Sequence, residues 1–367
     1  MRKKSLITLT ILGLMAMAAI VINANKEPLY HAQGYVFGTL VDINIYGETE
    51  ARASALANRV LQDFQQLHHQ LHAWKNGPAN QASQESASEL MHVNTAFANS
   101  QQPVKLSPLL TKLLSDAQAL SLRSEGLFNP AIGHLISTWG FQQDNFGVSK
   151  IDPDKIRSLV KANPAMSDIT LKNGEVYSKN PWVKLDLGGY AKGYALDQAV
   201  QYLRGQQVQH ALINIGGNII AIGQHGNKPW RVGIQHPRKP AAIATLDLND
   251  GWAIGTSGDY QRYFMLDGKR YCHIIDPRTG YPVQHTQAVT VLIPPQPHAG
   301  VLSDVASKPI FIETEDKKSH AAALLGIAYY MAISEDAHVL ITENMAQEIE
   351  WLDEKFKLNA HVKLIKP

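Results

Sequence analysis

Lys184-Leu185-Asp186-Leu187-Gly188-Gly189-Tyr190-Ala191-Lys192-Gly193-Tyr194-Ala195 is the stretch from which the rest of the chain is best read. Val183 and Leu185 at its start predict a strand, and the Ala- and Leu-rich run from Ala191 to Leu203 predicts a helix. Between them a carboxylate is followed by two glycines, a lysine and a third glycine. Such a turn lets backbone approach a phosphate and aims helix N-terminal amides at it, and Lys192 adds a cation. A glycine turn that serves packing alone accounts for the same residues equally well. Neither G-x-x-x-x-G-K-[ST] nor G-x-G-x-x-G occurs in this stretch.

Bulk properties narrow the field. The 367 residues can bury a large core, and 45% hydrophobic with 18% charged residues is an ordinary globular composition. A net charge of +2 without a basic run beyond the N-terminus argues against a nucleic-acid binder. Arg2, Lys3 and Lys4 precede an apolar or small run from Leu6 to Ile22, and Ala16-Met17-Ala18 offers a small-x-small cleavage site. Residues 1–24 therefore predict an export signal, either cleaved or kept as an anchor at the lower length limit for spanning a bilayer. The expected location is the periplasm, or the inner membrane with the chain facing the periplasm. Cys272 is the only cysteine, so no disulfide forms within the chain.

Further along, Tyr35 to Tyr46 predicts a strand, Ala51 to His72 a long amphipathic helix and Gly77 to Ser88 a polar loop. Ser107 to Leu122 predicts a second helix opened by Ser107-Pro108. A turn and an apolar segment follow from Ser124 to Phe141, and Gln142 to Lys155 reads as loop. Ile169 to Lys184 predicts a hairpin turning at Lys172-Asn173-Gly174. Ala211 to Gly223 predicts two short strands pinched at Gly216-Gly217, where positive φ or close backbone approach calls for glycine. Strands are expected at Trp230 to His236 and Ala242 to Leu248, with two more between Gly251 and Ile275 around Asp267-Gly268 and another at Ala288 to Ile293. Asp304 opens a helical stretch. No internal repeat or separating linker is visible. The expectation is one α+β domain, residues 25–367, behind the signal.

Several glycine-bearing segments stand in a fixed order: Gly126-Leu127-Phe128-Asn129-Pro130 with Gly133 and Trp139-Gly140-Phe141, then Asp186 to Gly193, Asn214-Ile215-Gly216-Gly217-Asn218, Thr256-Ser257-Gly258-Asp259-Tyr260, and His273 to Pro282. In that order, and with Phe37-Gly38-Thr39 upstream, they resemble the ApbE family, the FAD:protein FMN transferases. The resemblance runs from about Tyr35 to about Ile341 and implies a T-fold-like domain of mixed and antiparallel sheets with packed helices. It implies an enzyme that binds FAD and Mg²⁺ outside the cytoplasm and moves FMN onto a Ser or Thr hydroxyl of an exported or membrane redox protein, releasing AMP.

Carried over by position, Phe37, Trp74, Leu127, Phe128, Asn129, Asp186, Lys192 and His273 would contact FAD. The Gly189 carbonyl and Asp304 would hold the metal, and His273 is also a candidate base for the acceptor hydroxyl. Asp276 and Arg278 are expected to brace their own turn. One departure stands out in Ser303-Asp304-Val305-Ala306-Ser307-Lys308-Pro309. The family pairs an Asp with a metal-binding Thr four residues later, and that position here is Lys308, whose ammonium has no lone pair to give a metal. Ser307 could take the Thr's part after a shift of one residue, or Lys308 could replace part of the metal's charge. A flavin-binding protein without transferase activity and an FAD pyrophosphatase giving FMN and AMP compete with the transferase. His68, His69 and His72 invite a zinc reading, against the plainer one of a polar helix face.

Overall fold

The computed structural model describes residues 28–74, 87–99, 102–142 and 146–366. The expected signal, residues 1–24, and most of the expected loop from Gly77 to Ser88 lie outside them. Among the described residues no helix is long and apolar enough to cross a membrane.

The main sheet has nine strands: β1 Leu29–Val36, β2 Thr39–Tyr46, β3 Ala211–Ile215, β4 Asn218–Ile222, β5 Ala253–Gly258, β6 Thr286–Ile293, β7 Tyr330–Ser334, β8 Val339–Thr342 and β9 Lys363–Ile365. Their spatial order follows the chain, and the neighbours are antiparallel except for the last pair. The strand expected over Tyr35 to Tyr46 is instead a hairpin, turned at Phe37 and Gly38, both at positive φ. Gly216 and Gly217 are both at positive φ as well, joining β3 to β4.

β6 is buried along its whole length. Because strand side chains alternate between faces, Val289, Val291 and Ile293 enter one core while Ala288 and Leu292 enter another. Helices cover the first core, among them α1 Glu50–Leu71, α2 Ala191–Gly205 and α3 Ala299–Ile312. The second is covered by a three-stranded sheet made of Trp230–Gln235, Ala242–Leu248 and Ile349–Trp351. Apolar side chains at helical spacing explain α1: Ala53, Leu56, Ala57, Val60, Phe64, Leu67 and Leu71 are its buried face, and Thr49 caps it. α3 is buried nearly all round, as a helix between sheet and helix must be, and begins at Ala299 rather than at Asp304.

A smaller cluster holds Trp139, Phe141 and the helices Gly133–Thr138 and Pro153–Ala162. The second helix starts within the loop expected over Gln142 to Lys155, capped by Asp152 with Pro153 opening it. The hairpin at Asn173-Gly174 forms as expected, with both residues at positive φ. No strand forms at Val183–Leu185. That stretch is extended but pairs with a loop: Lys184 N–H donates to Ala131 O, and its carbonyl accepts from Gly133 N–H.

Candidate functional site

The glycine turn and α3 meet face to face. The Gly193 N–H donates to Asp304 Oδ2 at 3.1 Å, and a Cβ at Gly193 would lie 2.4 Å from the Gly300 carbonyl oxygen. Glycine is therefore required there for α2 and α3 to touch. Asp197, one turn further along α2, accepts from the amides of Gly300 and Val301 at 2.8 and 2.9 Å and so caps α3. The anion at the start of α2 is thus a side chain of the protein, Asp304, rather than an open place for phosphate.

Around Asp304 the charges are packed densely. Lys308 Nζ donates to Asp304 Oδ1 at 2.7 Å and to the Asp304 carbonyl at 2.5 Å. Lys192 Nζ donates to the same Oδ1 and to Gly188 O, each at 3.3 Å. The Asp304 side chain is only 2% exposed. Burial works to raise its carboxyl, but the Lys192 and Lys308 ammoniums outweigh that and hold it well below the usual carboxylate range. Ser307 Oγ shares a hydrogen bond with Ser257 Oγ at 2.7 Å and donates to Asp304 O at 3.1 Å. Gly189 lies under the lysine: a Cβ there would sit 2.8 Å from Lys308 Cε. Gly189, Asp304 and Ser307 therefore do not fit a divalent ion seated among them as the residues stand, because the Lys308 ammonium already holds the carboxylate that such an ion would need. Among the described residues no cluster of three or more His, Cys, Asp or Glu is placed to hold a metal, the histidines of α1 included. Those histidines pack as rings, His68 edge-on to His72 and to Phe37.

His273 faces the same charges. Its Nδ1 lies 3.2 Å from the carbonyl oxygen of Arg262. A carbonyl only accepts, so Nδ1 carries the proton and Nε2 keeps its lone pair. Burial lowers the His273 pKa to about 3, with the positive charges of Arg262, Lys192 and Lys308 acting in the same direction. The imidazole is therefore neutral at ordinary pH, with its Nε2 lone pair unprotonated.

Trp74 and Asp186 are brought together across 112 residues: the indole Nε1 donates to Asp186 Oδ2 at 2.9 Å, and Lys184 Nζ lies 3.9 Å over the indole ring. Asp186 Oδ1 accepts from Gly188 N–H at 2.7 Å, which shapes the turn. Leu127 and Phe128 are buried in the main core. Asn129 accepts from Ala131 N–H within its own loop and donates to Pro164 O, just past the Pro153–Ala162 helix. Phe37 packs on Phe64 and His68 at the hairpin turn. Asp276 and Arg278 brace their turn as expected, with Glu313 joining the pair. Trp139 Nε1 donates to Gly280 O at 2.8 Å, so the Trp-Gly-Phe block is pinned to that turn. Lys184, Arg262 and Lys308 complete the centre without having been singled out as ligand contacts. Lys184 lay inside the glycine stretch, but nothing local marked Arg262.

The pattern of segments has a match among known families. A model described as the ApbE family matches residues 37–331. The chain belongs to the ApbE family. It is 35% identical over 350 residues to an FAD:protein FMN transferase of Rhodobacter capsulatus, covering 94% of this chain but 63% of that protein's length. It is 35% identical over 270 residues to an FAD:protein FMN transferase of Klebsiella pneumoniae (strain 342), covering 72% of this chain and 77% of the relative. In fold it is similar to the ApbE protein of Thermotoga maritima, with a TM-score of 0.73 and 27% identity over 90% of this chain and 99% of that one. The single α+β ApbE domain is thus established by sequence and fold together.

Proposed function

We propose that this chain is an FAD:protein FMN transferase, moving FMN from FAD to a Ser or Thr hydroxyl of a target protein and releasing AMP. The observation that carries the reading is a neutral His273 with Nε2 open, beside two lysines that share one buried carboxylate, on a chain of this family. His273 takes the acceptor hydroxyl's proton at Nε2 as the oxygen attacks the FMN phosphorus. The phosphorus–oxygen bond to the AMP phosphate breaks, and AMP leaves with the electron pair. Lys192 and Lys308 face the charge that builds on the phosphates, and Asp304 holds both ammoniums in place. Trp74, Asp186 and Lys192 hold FAD on the turn side of the centre, and Phe37 contributes an aromatic face. Mg²⁺, where an enzyme of this kind uses it, would neutralise phosphate charge.

The acceptor is a redox protein outside the cytoplasm or in the membrane, and the chain itself is exported, with membrane attachment through its N-terminal segment if that segment is retained. The basic Arg2, Lys3 and Lys4 ahead of the apolar run support this placement. The test is incubation of the purified chain with FAD and a Thr-bearing acceptor peptide, following AMP and peptide mass. Equal AMP and flavinylated peptide are expected. AMP without labelled peptide would point to the pyrophosphatase, and FAD bound with no AMP to a flavin carrier.

A further inference from the structure

We propose, on the transferase reading above, that the Lys308 ammonium is the resident cation of this centre, so that transfer by this chain needs no divalent ion at Asp304. Four features place it there. Lys308 and Asp304 are four residues apart on α3, so they meet on one helix face without any rearrangement. Both side chains are withdrawn from water, at 17% and 2% exposure, and a buried charge of this kind is costly unless paired. A metal ion would have to expel a like charge from the carboxylate it needs. The lysine stem passes over Gly189, where a Cβ would lie 2.8 Å from Lys308 Cε. The remaining hydroxyl, Ser307, is held by Ser257 and by the Asp304 carbonyl, which leaves a metal only its one remaining lone pair.

The charge count agrees with this role. One carboxylate against two ammoniums leaves the cluster at a net +1, suited to a pyrophosphate. An ammonium has three donors; Asp304 engages Lys308 through its carboxylate and its carbonyl, which leaves a donor for a phosphate oxygen.

The test is titration of the full chain in detergent with Mn²⁺, with and without FAD, reading the free ion by EPR. AMP release and peptide labelling are followed in EDTA and in Mg²⁺. The wild-type chain is expected to leave Mn²⁺ free and to turn over equally in EDTA. A Lys308→Thr chain is expected to bind one equivalent of Mn²⁺ and to lose turnover in EDTA until Mg²⁺ is restored. One equivalent bound to the wild type and lost in Asp304→Asn would overturn the proposal, as would wild-type turnover abolished by EDTA. A folded Lys308→Thr chain that binds no Mn²⁺ would overturn the claim that the ammonium excludes the metal. Should that variant not fold, the wild-type titration decides alone. Absence of AMP under every condition would fail the transferase reading and leave the Mn²⁺ result standing.

Discussion

Asp304 and Asp259 are both largely buried carboxylates flanked by two cations, yet the two clusters do different work. Arg238 grips Asp259 with both arms of its fork, at 2.6 and 2.7 Å, and Arg270 stands 3.6 Å away. A planar guanidinium on both oxygens fixes geometry and uses up the carboxylate. Asp304 instead receives two lysines on one oxygen and a backbone amide on the other. Ammoniums are point charges with donors to spare, so this cluster can meet a phosphate that the arginine clamp cannot. The same formal charge gives a brace in one place and, on the transferase proposal, a reaction centre in the other. What separates them is the shape of the cation and the presence of His273 beside the lysines.

The largest effect should come from Asp304→Asn, which leaves two buried ammoniums without their shared counter-charge. We expect a loss of about 3–5 kcal/mol in thermal or denaturant melts, together with loss of transfer. A variant as stable as the parent would remove the electrostatic distinction between the clusters. His273→Gln should lower AMP release by about 10²–10⁴-fold while leaving FAD affinity and melting temperature in place. A fall of less than about tenfold would assign the proton to another group. Arg238→Ala should cost about 1 kcal/mol of stability and leave the transfer rate of the folded chain unchanged, as befits a brace. If it slowed transfer, Asp259 would belong to the chemistry.

The smallest effect is in pH. With its pKa near 3, His273 stays neutral well below the point at which a free imidazole, at about 6.5, takes up a proton. Transfer should therefore show no acid limb near that free value in a pH–rate profile. The unfolded chain binds that proton first, so this residue makes stability rise with pH between the two values and fall as pH is lowered through them. Melts across the window check the sign.

Much of the fold was legible because its elements carry local signals. The heptad-like apolar face of α1, the Ser107-Pro108 cap and the Asn173-Gly174 and Gly216-Gly217 turns all appear where their residues demand. The helices Glu89–Asn99 and Pro153–Ala162 were not anticipated. The first is short, and the Asp152-Pro153 cap of the second lay inside a stretch rich in loop residues. In the centre, Asp186, Lys192, His273 and Asp304 were readable from their motifs. The Lys308–Asp304 pair follows from their four-residue spacing on one helix, but the passage of the Lys308 stem over Gly189 was not legible, because it depends on how closely α2 and α3 approach at Gly193 and Gly300. Leu127 and Phe128 pack their side chains into the main core.

The most direct measurement is a crystal structure of the full chain with FAD. The lysine-centred site predicts pyrophosphate oxygens within hydrogen-bond distance of Lys192 and Lys308, with His273 Nε2 open toward the FMN phosphorus and no ion between Gly189 and Asp304. FAD seated away from these lysines, or a metal on Asp304 with Lys308 swung aside, would contradict it.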